Sequence, residues 1–307
     1  MSRLIDRVLY GGVRMVAHLP LKVLYLFSDM LHILLYDLLR YRRKVVMKNL
    51  AEAFPDKSAR EHKKICREFY RNFSDYIFET LKLAHISDSE MMERMEFENM
   101  DLLMNYMDSG RSVVAYFSHC FNWEWAPSVT LHYDHATDRR MEFCQVYRPL
   151  RNEAFDTLML RLRSRFGSLS LKKRSVLRDL LRFRRDGVVT VTGFMSDQKP
   201  SHGDPIHVVE FLNHPTAVIT GTETLASRLG MAAVYWDIAK ISRGHYRITM
   251  RNLSEDVGKE EPMEVTHRYF DMLEQTIRRN PSNWLWTHKR WKHKVTLEMN
   301  DMNLRIE

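Results

Sequence analysis

The sequence predicts an α/β fold with a mostly parallel sheet flanked by helices, and two observations support that prediction. Short β-branched and aromatic runs, of which Val113 to Phe117 is the clearest, alternate with longer segments of helical periodicity. Alternation of this kind gives parallel sheets with helices on both faces. No linker or composition shift marks a second domain within residues 40–307, so we expect a single α/β unit there, behind an N-terminal segment, residues 1–39.

The composition narrows the class of protein. The 307 residues are 45% hydrophobic, which is ample for a core, and the formal net charge is +8. A basic chain favours an acidic partner, which leaves nucleic acid, an anionic membrane and an acidic protein open. Its three cysteines, Cys66, Cys120 and Cys144, lack the spacing of metal ligands and suit a reducing compartment.

The N-terminal segment predicts a membrane-associated helix. Apolar residues dominate from Val16 to Leu39. Polar residues interrupt them at Lys22, Asp29, His32 and Asp37. A spanning helix needs about 20 apolar residues with few charges, so a helix lying in the interface fits better. Basic residues on both sides favour the cytoplasmic leaflet, while a buried amphipathic helix of a soluble protein is the alternative.

The remaining elements follow in alternation. A capping box, Ser58 to Glu61, begins a long packing helix. Further helices are predicted over residues 100–108, 123–133, 152–165, 175–185, 216–229 and 263–279. Strands are predicted over residues 96–98, 113–117, 141–147, 188–194, 232–238 and 246–250. This order matches a sheet whose strands are joined mainly by helices.

The strand over residues 113–117 ends at a histidine. In open α/β sheets ligands bind at the carboxyl ends of the strands, which is where His119 lies. Asn122 can cap the following helix and place Glu124 in its first turn, where the helix dipole favours a carboxylate. His119 and Glu124 are five residues apart, so only a sharp strand-to-helix turn brings them together. We predict that they form a catalytic pair, and a surface histidine at a strand end is the alternative.

Two other strand ends carry polar side chains toward the same edge. Arg148 follows the strand over residues 141–147, and Asp197 and Gln198 follow the strand over residues 188–194. Arg163 and Arg165 lie on the helix between them. Guanidinium groups bind phosphates bidentately, so these five residues are predicted to bind substrate. A solvated helix face for the arginines and a simple turn for Asp197 are the alternatives.

Tryptophan and basic residues interleave near the C-terminus at Trp284, Trp286, Lys289 and Arg290. Such a run is typical of a membrane interface, where indoles lie among headgroups and cations meet phosphates. It also suits single-stranded nucleic acid, through stacking and neutralisation of the backbone. Burial of the tryptophans against the sheet is the third interpretation.

Several short motifs can be compared together. They are Arg43-x-x-Val46-x-x-Asn49-Leu50-x-x-Ala53-Phe54-Pro55, His119-x-x-Asn122-Trp123-Glu124, Val146-Tyr147-Arg148-Pro149, Phe194-Met195-Ser196-Asp197-Gln198, Phe211-Leu212-x-x-Pro215-Thr216, and Pro281-Ser282-Asn283-Trp284-Leu285-Trp286-Thr287-His288-Lys289-Arg290. In this order they resemble the motifs of the bacterial lipid A late acyltransferases, the lauroyl/myristoyl transferase family, over nearly the whole chain. One position departs from the pattern, because Phe121 stands where the family usually has glycine.

The resemblance implies a glycerolipid-acyltransferase-like fold and transfer of a fatty acyl chain from acyl carrier protein to a hydroxyl group of a lipid A precursor. The expected place is the cytoplasmic face of the inner membrane. His119 would be the general base, Glu124 would hold its ring, and Arg148 would bind a phosphate or the oxyanion. A thioester is already activated, so we expect no metal and no cofactor.

The expected partners are the carrier protein, the lipid A precursor and the anionic membrane rather than nucleic acid. Two other functions stay open. One is acylation of another lipid, such as a lysophospholipid or an amino-acid lipid. The other is a non-catalytic protein that binds membrane or nucleic acid.

Overall fold

The computed structural model describes residues 2–133, 140–201, 204–292 and 294–302. Its strands are β1 (Met95–Glu98), β2 (Val113–Phe117), β3 (Met141–Tyr147), β4 (Leu169–Lys172), β5 (Val189–Met195), β6 (Ile206–Phe211), β7 (His214–Ile219), β8 (Ala232–Ser242) and β9 (His245–Ser254). Its α-helices are α1 (Ser2–Ala17), α2 (Leu21–Ile33), α3 (Arg43–Ala53), α4 (Ala59–Lys82), α5 (Asp88–Arg94), α6 (Met100–Asp108), α7 (Glu153–Arg163), α8 (Val176–Arg185), α9 (Gly221–Leu229) and α10 (Glu264–Arg279).

The central sheet has seven strands in the order β1-β9-β8-β2-β5-β3-β4. Strands β8, β2, β5, β3 and β4 run parallel to one another, while β9 pairs antiparallel with β8 and carries β1 parallel to itself. The middle strand β2 is buried because helices cover both faces, which explains its unbroken apolar sequence. The predicted sheet, mostly parallel and flanked by helices, is therefore confirmed.

One predicted helix, residues 216–229, is wrong over its first five residues. Residues 216–219 belong to β7, which pairs antiparallel with β6 in a separate two-stranded sheet, and α9 begins only at Gly221. Leu212 and Asn213 join the two strands with positive φ angles of 51° and 63°, as the tight turn of a β-hairpin requires. The two apolar runs on either side of Asn213 were the available signal for this hairpin.

The N-terminal segment forms two helices and a short π-helix rather than one helix. No single helix in the described part of the chain is long and apolar enough to cross a membrane. The pair Ile5–Ala17 and Leu21–Leu38 meets those criteria of length and composition together, with a bend of 108° between its members. The break falls just before α2, where Pro20 is the residue that caps the helix.

Polar contacts attach this segment to the rest of the fold. The Lys82 ammonium group, near the end of α4, donates to the carbonyl oxygens of Ala17 at 2.9 Å and Leu19 at 3.0 Å. Arg243 donates to both Asp29 and the buried carboxylate of Asp75. Because Ala17, Leu21 and Leu24 also pack into the core, α1 and α2 are an integral layer of the molecule.

Candidate active site

A cavity of about 630 Å³ opens at the carboxyl ends of β2, β3 and β5. It lies between the sheet, the 3₁₀ helix Trp123–His132 and helix α7. Most of its lining is apolar and includes Phe117, Pro127, Val146, Leu150, Phe155, Met159, Val176, Phe194, Met195, Ile219 and Leu225. Its histidine, acidic and basic lining residues are His119, Glu124, Arg148, Arg163 and Lys173. Ligand sites commonly combine a large apolar surface with a few polar groups in this way.

His119 is held by a carboxylate from the neighbouring strand end. Its ring nitrogen Nδ1 lies 2.7 Å from Oδ1 of Asp197, and its backbone N–H donates to Oδ2 at 3.0 Å. The strand register explains the contact, because Phe117 pairs with Met195. His119 and Asp197 each lie two positions beyond these paired residues. The Trp123 ring stands edge-on to the imidazole, with 5.0 Å between the ring centroids.

Asp197 is buried and fully engaged. The Trp284 indole N–H donates to Oδ2 at 2.8 Å, in addition to the two bonds from His119. Burial works against ionisation of this carboxyl group, but His119 outweighs it, so the pKa of Asp197 is lowered. The carboxylate is therefore ionised at neutral pH and can only accept hydrogen bonds. It follows that Nδ1 of His119 carries a proton and donates it.

Glu124 does not hold the His119 ring, so the predicted contact between these two residues is wrong. Both Glu124 oxygens accept from the Arg163 guanidinium, at 2.7 Å and 2.6 Å. Trp123 and Tyr76 also donate to Oε1, at 3.1 Å and 3.4 Å. A buried carboxylate requires a cationic partner, and the arginine on α7 provides it. Glu124 and His119 nevertheless line the same cavity.

The Asn122 cap is as predicted. Its side chain accepts from the Glu124 backbone N–H at 3.1 Å, although the helix that it caps is 3₁₀ rather than α. The preceding Phe121 is fully buried and packs against Phe69, with 5.9 Å between the ring centroids. The bulky residue in place of the usual glycine is thus accommodated by an aromatic cluster on α4.

The other predicted substrate-binding residues divide into two groups. Arg148 is exposed at the mouth of the cavity, where it donates a 3.5 Å hydrogen bond to the Ser201 hydroxyl group. Arg165 does not line the cavity and instead donates to the Ile86 carbonyl oxygen and to Asp88 on α5. Gln198 is half-buried and does not line the cavity. The prediction that Arg165 and Gln198 bind substrate is therefore not supported by their positions.

The C-terminal tryptophans are buried, so their prediction as a membrane interface is wrong. Trp284 is 3% and Trp286 0% exposed, and Arg290 is 3% exposed; Lys289 alone of the four is on the surface. This run follows the His119 loop, with the Leu285 N–H donating to the His119 carbonyl oxygen at 3.1 Å and the Phe121 N–H to the Asn283 carbonyl oxygen at 3.0 Å. Its function in the fold is to support the loop that carries the histidine.

Arg290 is a buried cation in this supporting region. One guanidinium nitrogen donates to the Ala217 carbonyl oxygen at 2.9 Å, and burial lowers the pKa of Arg290 to about 10. Asp197 acts in the opposite direction and favours its charged form. The buried positive charge of Arg290 in turn favours the ionised state of Asp197.

Most of the residues that line the cavity were not among the predicted site residues, and Tyr76 and Lys173 are two of them. The Tyr76 ring packs at a tilt of 34° against Trp123, with 4.2 Å between the ring centroids, and Lys173 lies at the mouth, where it forms an ion pair of 3.1 Å with Asp204. Tyr76 lies on the apolar face of the long helix α4, and nothing in the sequence around it indicates a place in the cavity. Lys173 belongs to a basic run whose composition is as typical of a solvated surface as of a phosphate-binding site.

Comparison with known proteins shows the family to which the chain belongs. The family model described as "Bacterial lipid A biosynthesis acyltransferase" matches residues 2–293, and the chain belongs to that family. The chain is similar to the "Lipid A biosynthesis palmitoleoyltransferase" of Escherichia coli (strain K12), with 26% identity over 284 residues, which cover 89% of this chain and 86% of the relative. It matches the "Lipid A biosynthesis acyltransferase" of Shigella flexneri with the same identity and coverage.

Proposed function

We propose that this chain transfers a fatty acyl group from acyl carrier protein to a hydroxyl group of a lipid A precursor, at the cytoplasmic face of the inner membrane. His119 is the general base and Asp197 positions its ring. The observation that carries the proposal is the 2.7 Å hydrogen bond between Nδ1 and Asp197. Since Nδ1 donates to a carboxylate, Nε2 is left as a proton acceptor on a ring that lines the cavity.

The chemistry needs no covalent enzyme intermediate. Nε2 of His119 takes the proton of the acceptor hydroxyl group while that oxygen attacks the carbonyl carbon of the thioester. When the tetrahedral intermediate collapses, the carbon–sulfur bond breaks and the imidazolium returns its proton to the departing thiolate. Asp197 stabilises the imidazolium between these two steps, in the manner of the carboxylate in a catalytic triad.

The apolar lining of the cavity supports a fatty acyl substrate. A hydrocarbon chain bound there leaves water, and each buried methylene contributes about 0.8 kcal/mol. The Glu124–Arg163 pair forms part of the wall beside Trp123 and fixes the 3₁₀ helix to α7. Arg148, exposed at the mouth, is proposed to bind a phosphate of the acceptor, because its planar guanidinium group has nearly all its donors available.

A basic and apolar face on α8 supports an acidic donor protein. A shallow groove there is lined by Leu177, Arg178, Leu181, Arg182 and Arg185. Helix α8 begins beside the mouth of the cavity, since Val176 and Lys173 line it. We propose that acyl carrier protein docks on this groove, which would place its thioester arm next to Lys173.

The proposal is tested by steady-state kinetics with acyl carrier protein as donor and lipid A precursor as acceptor. We expect His119→Ala to lower kcat by about 10²–10⁴-fold, the usual contribution of a general base. Asp197→Asn should also lower kcat, with little change in the KM for lipid, because it keeps the shape but loses the charge that stabilises the imidazolium.

Exposed residues of the same types provide the controls. His85→Ala and Asp186→Asn remove a histidine and a carboxylate from the surface and should leave kcat unchanged. A normal kcat in folded His119→Ala would overturn the assignment of the base.

A further inference from the structure

The acyl-binding cavity has a continuation along the sheet. A second void of about 20 Å³ shares Phe117, Pro127 and Gln145 with the main cavity. Its other lining residues are Ala126, Val129, Phe143, Cys144, Ser168, Val191, Gly193 and Trp236. In the parallel register Phe117 pairs with Met195, Gln145 with Gly193 and Phe143 with Val191. The void therefore extends beneath the 3₁₀ helix toward the amino-terminal ends of the strands.

The Phe117 ring separates the main cavity from this void. The residue is the last of β2, and its ring lies 6.1 Å from the Trp236 ring, centroid to centroid. Behind the ring there is room for little more than one water-sized group. A hydrocarbon chain that runs along the sheet from His119 thus ends against Phe117 while the ring holds this position.

Gly193 creates the space in which the ring lies. A Cβ atom at position 193 would stand 2.9 Å from Cε1 of Phe117, closer than real Cβ atoms come to a neighbour. Glycine in the interior of a strand weakens the strand, and it often marks a place where another group approaches closely. Gly193 lies in a central strand next to β2, and the group that approaches it is the Phe117 ring.

We propose that the methyl end of the acyl chain stops at the Phe117 ring, and that Phe117, seated on Gly193 in front of the void, determines the longest chain that the enzyme transfers. The inference rests on the proposed acyl transfer and deepens it. A smaller side chain at position 117 joins the void to the cavity, so longer chains gain buried methylenes. A side chain at position 193 pushes the Phe117 ring away from β5 into the main cavity and shortens it, so shorter chains are favoured.

The test is a competition assay with carrier proteins that bear saturated chains from decanoyl to octadecanoyl. For Phe117→Leu we expect the ratio of longer to shorter chains transferred to rise about fifteenfold for chains two methylenes longer than the wild type prefers, because each buried methylene favours binding about fourfold. For Gly193→Ala we expect the ratio to fall. Phe183→Leu removes the same atoms from a buried phenylalanine that lines neither cavity, and it should leave the profile unchanged.

A binding experiment separates this inference from the proposed function. Free fatty acids of the same lengths are added to each variant, and the rise in thermal stability is measured, because a ligand that binds only the folded state stabilises it. If the wild type transfers acyl chains but Phe117→Leu and Gly193→Ala keep its profile in both measurements, the inference is wrong. If no variant transfers any chain, the proposed function fails, while a shift of the preferred length in the thermal measurement still supports the site. Phe117→Met, whose unbranched side chain adapts to irregular core spaces, replaces Phe117→Leu if the latter does not fold.

Discussion

At the scale of single residues, two buried carboxylates of the site have different partners. Asp197 accepts from His119, and Glu124 accepts from Arg163. The two carboxylates therefore have different roles, since Asp197 positions the base and Glu124 stabilises the wall of the cavity. Because the two acids are engaged in this way, their substitutions should have different consequences.

Substitution of Glu124 should act mainly through stability. Glu124→Gln leaves the half-buried Arg163 guanidinium without its partner, and loss of one member of a buried ion pair costs about 3–5 kcal/mol. Arg163→Gln should cost a similar amount. The double variant should lose less than the sum of the two, because the substitutions remove the same interaction.

Urea unfolding of the four proteins measures this coupling. Asp237→Asn together with Arg251→Gln, between β8 and β9, provides a reference outside the cavity, in which the acid also pairs with a second arginine, Arg279. Additive losses at Glu124 and Arg163 would contradict the assignment of this pair as a unit.

At the scale of elements, α8 combines a core face with a groove for a partner. Val176, Leu180 and Phe183 are buried, while the basic groove side chains on the other side face solvent. In the described part of the chain, Arg178 and Arg182 form no ion pair with an acidic side chain. Such arginines are available to an acidic protein, and electrostatic complementarity mainly affects the rate of association.

Charge reversal on α8 should weaken the interaction with the donor. Arg178→Glu combined with Arg182→Glu is expected to raise the KM for acyl carrier protein about tenfold or more, with kcat nearly unchanged. Arg184→Glu changes the same charge on an exposed residue of the same helix that does not line the groove, and it should have a smaller effect. The KM for each variant is measured at several salt concentrations, because screening should reduce the difference. Equal KM values for the double variant and the wild type would place the carrier protein elsewhere.

At the scale of the whole molecule, the N-terminal helices present a large apolar surface on one side of the fold. The exposed apolar side chains of this segment include Ile5, Val8, Met15, Leu26, Phe27, Met30, Ile33, Leu34, Leu38 and Leu39. Patches of this kind mark interaction sites for proteins or membranes. The basic residues that follow, Arg40 to Lys44, suit anionic headgroups. Because α1 also packs on α7, which lines the cavity, we propose that this side faces the membrane.

Polar substitutions on this surface should release the protein from membranes. Leu26 and Met30 are 64% and 66% exposed, so Leu26→Asp with Met30→Asp should leave the fold intact while it removes apolar contact with lipid. Sedimentation with vesicles that contain anionic phospholipid measures the bound fraction, which we expect to fall severalfold. Leu297→Asp, at an exposed leucine outside the segment, is the control. Unchanged sedimentation of the double variant would mean that another surface binds the membrane.

The local elements of the protein are determined by the sequence itself. The buried strand β2, the helix α6 and the strand β3 have the predicted bounds, because their periodicity and turn residues act over a few neighbouring positions. The capping box at Ser58 is formed for the same reason. The position of His119 at the end of β2 also follows from the sequence, and so does the resemblance to the acyltransferase family.

Only the tertiary structure decided which side chains meet. The pairing of β2 with β5 brought Asp197 to His119, although 78 positions separate them, whereas Glu124, five positions away, turned to Arg163. The aromatic and basic composition of the C-terminal run fits a buried run and a membrane surface equally well. Only its packing against the His119 loop shows that the run is buried. The space behind Phe117 likewise depends on Gly193 in a neighbouring strand. Contacts between distant segments depend on strand order and register, which local periodicity does not encode.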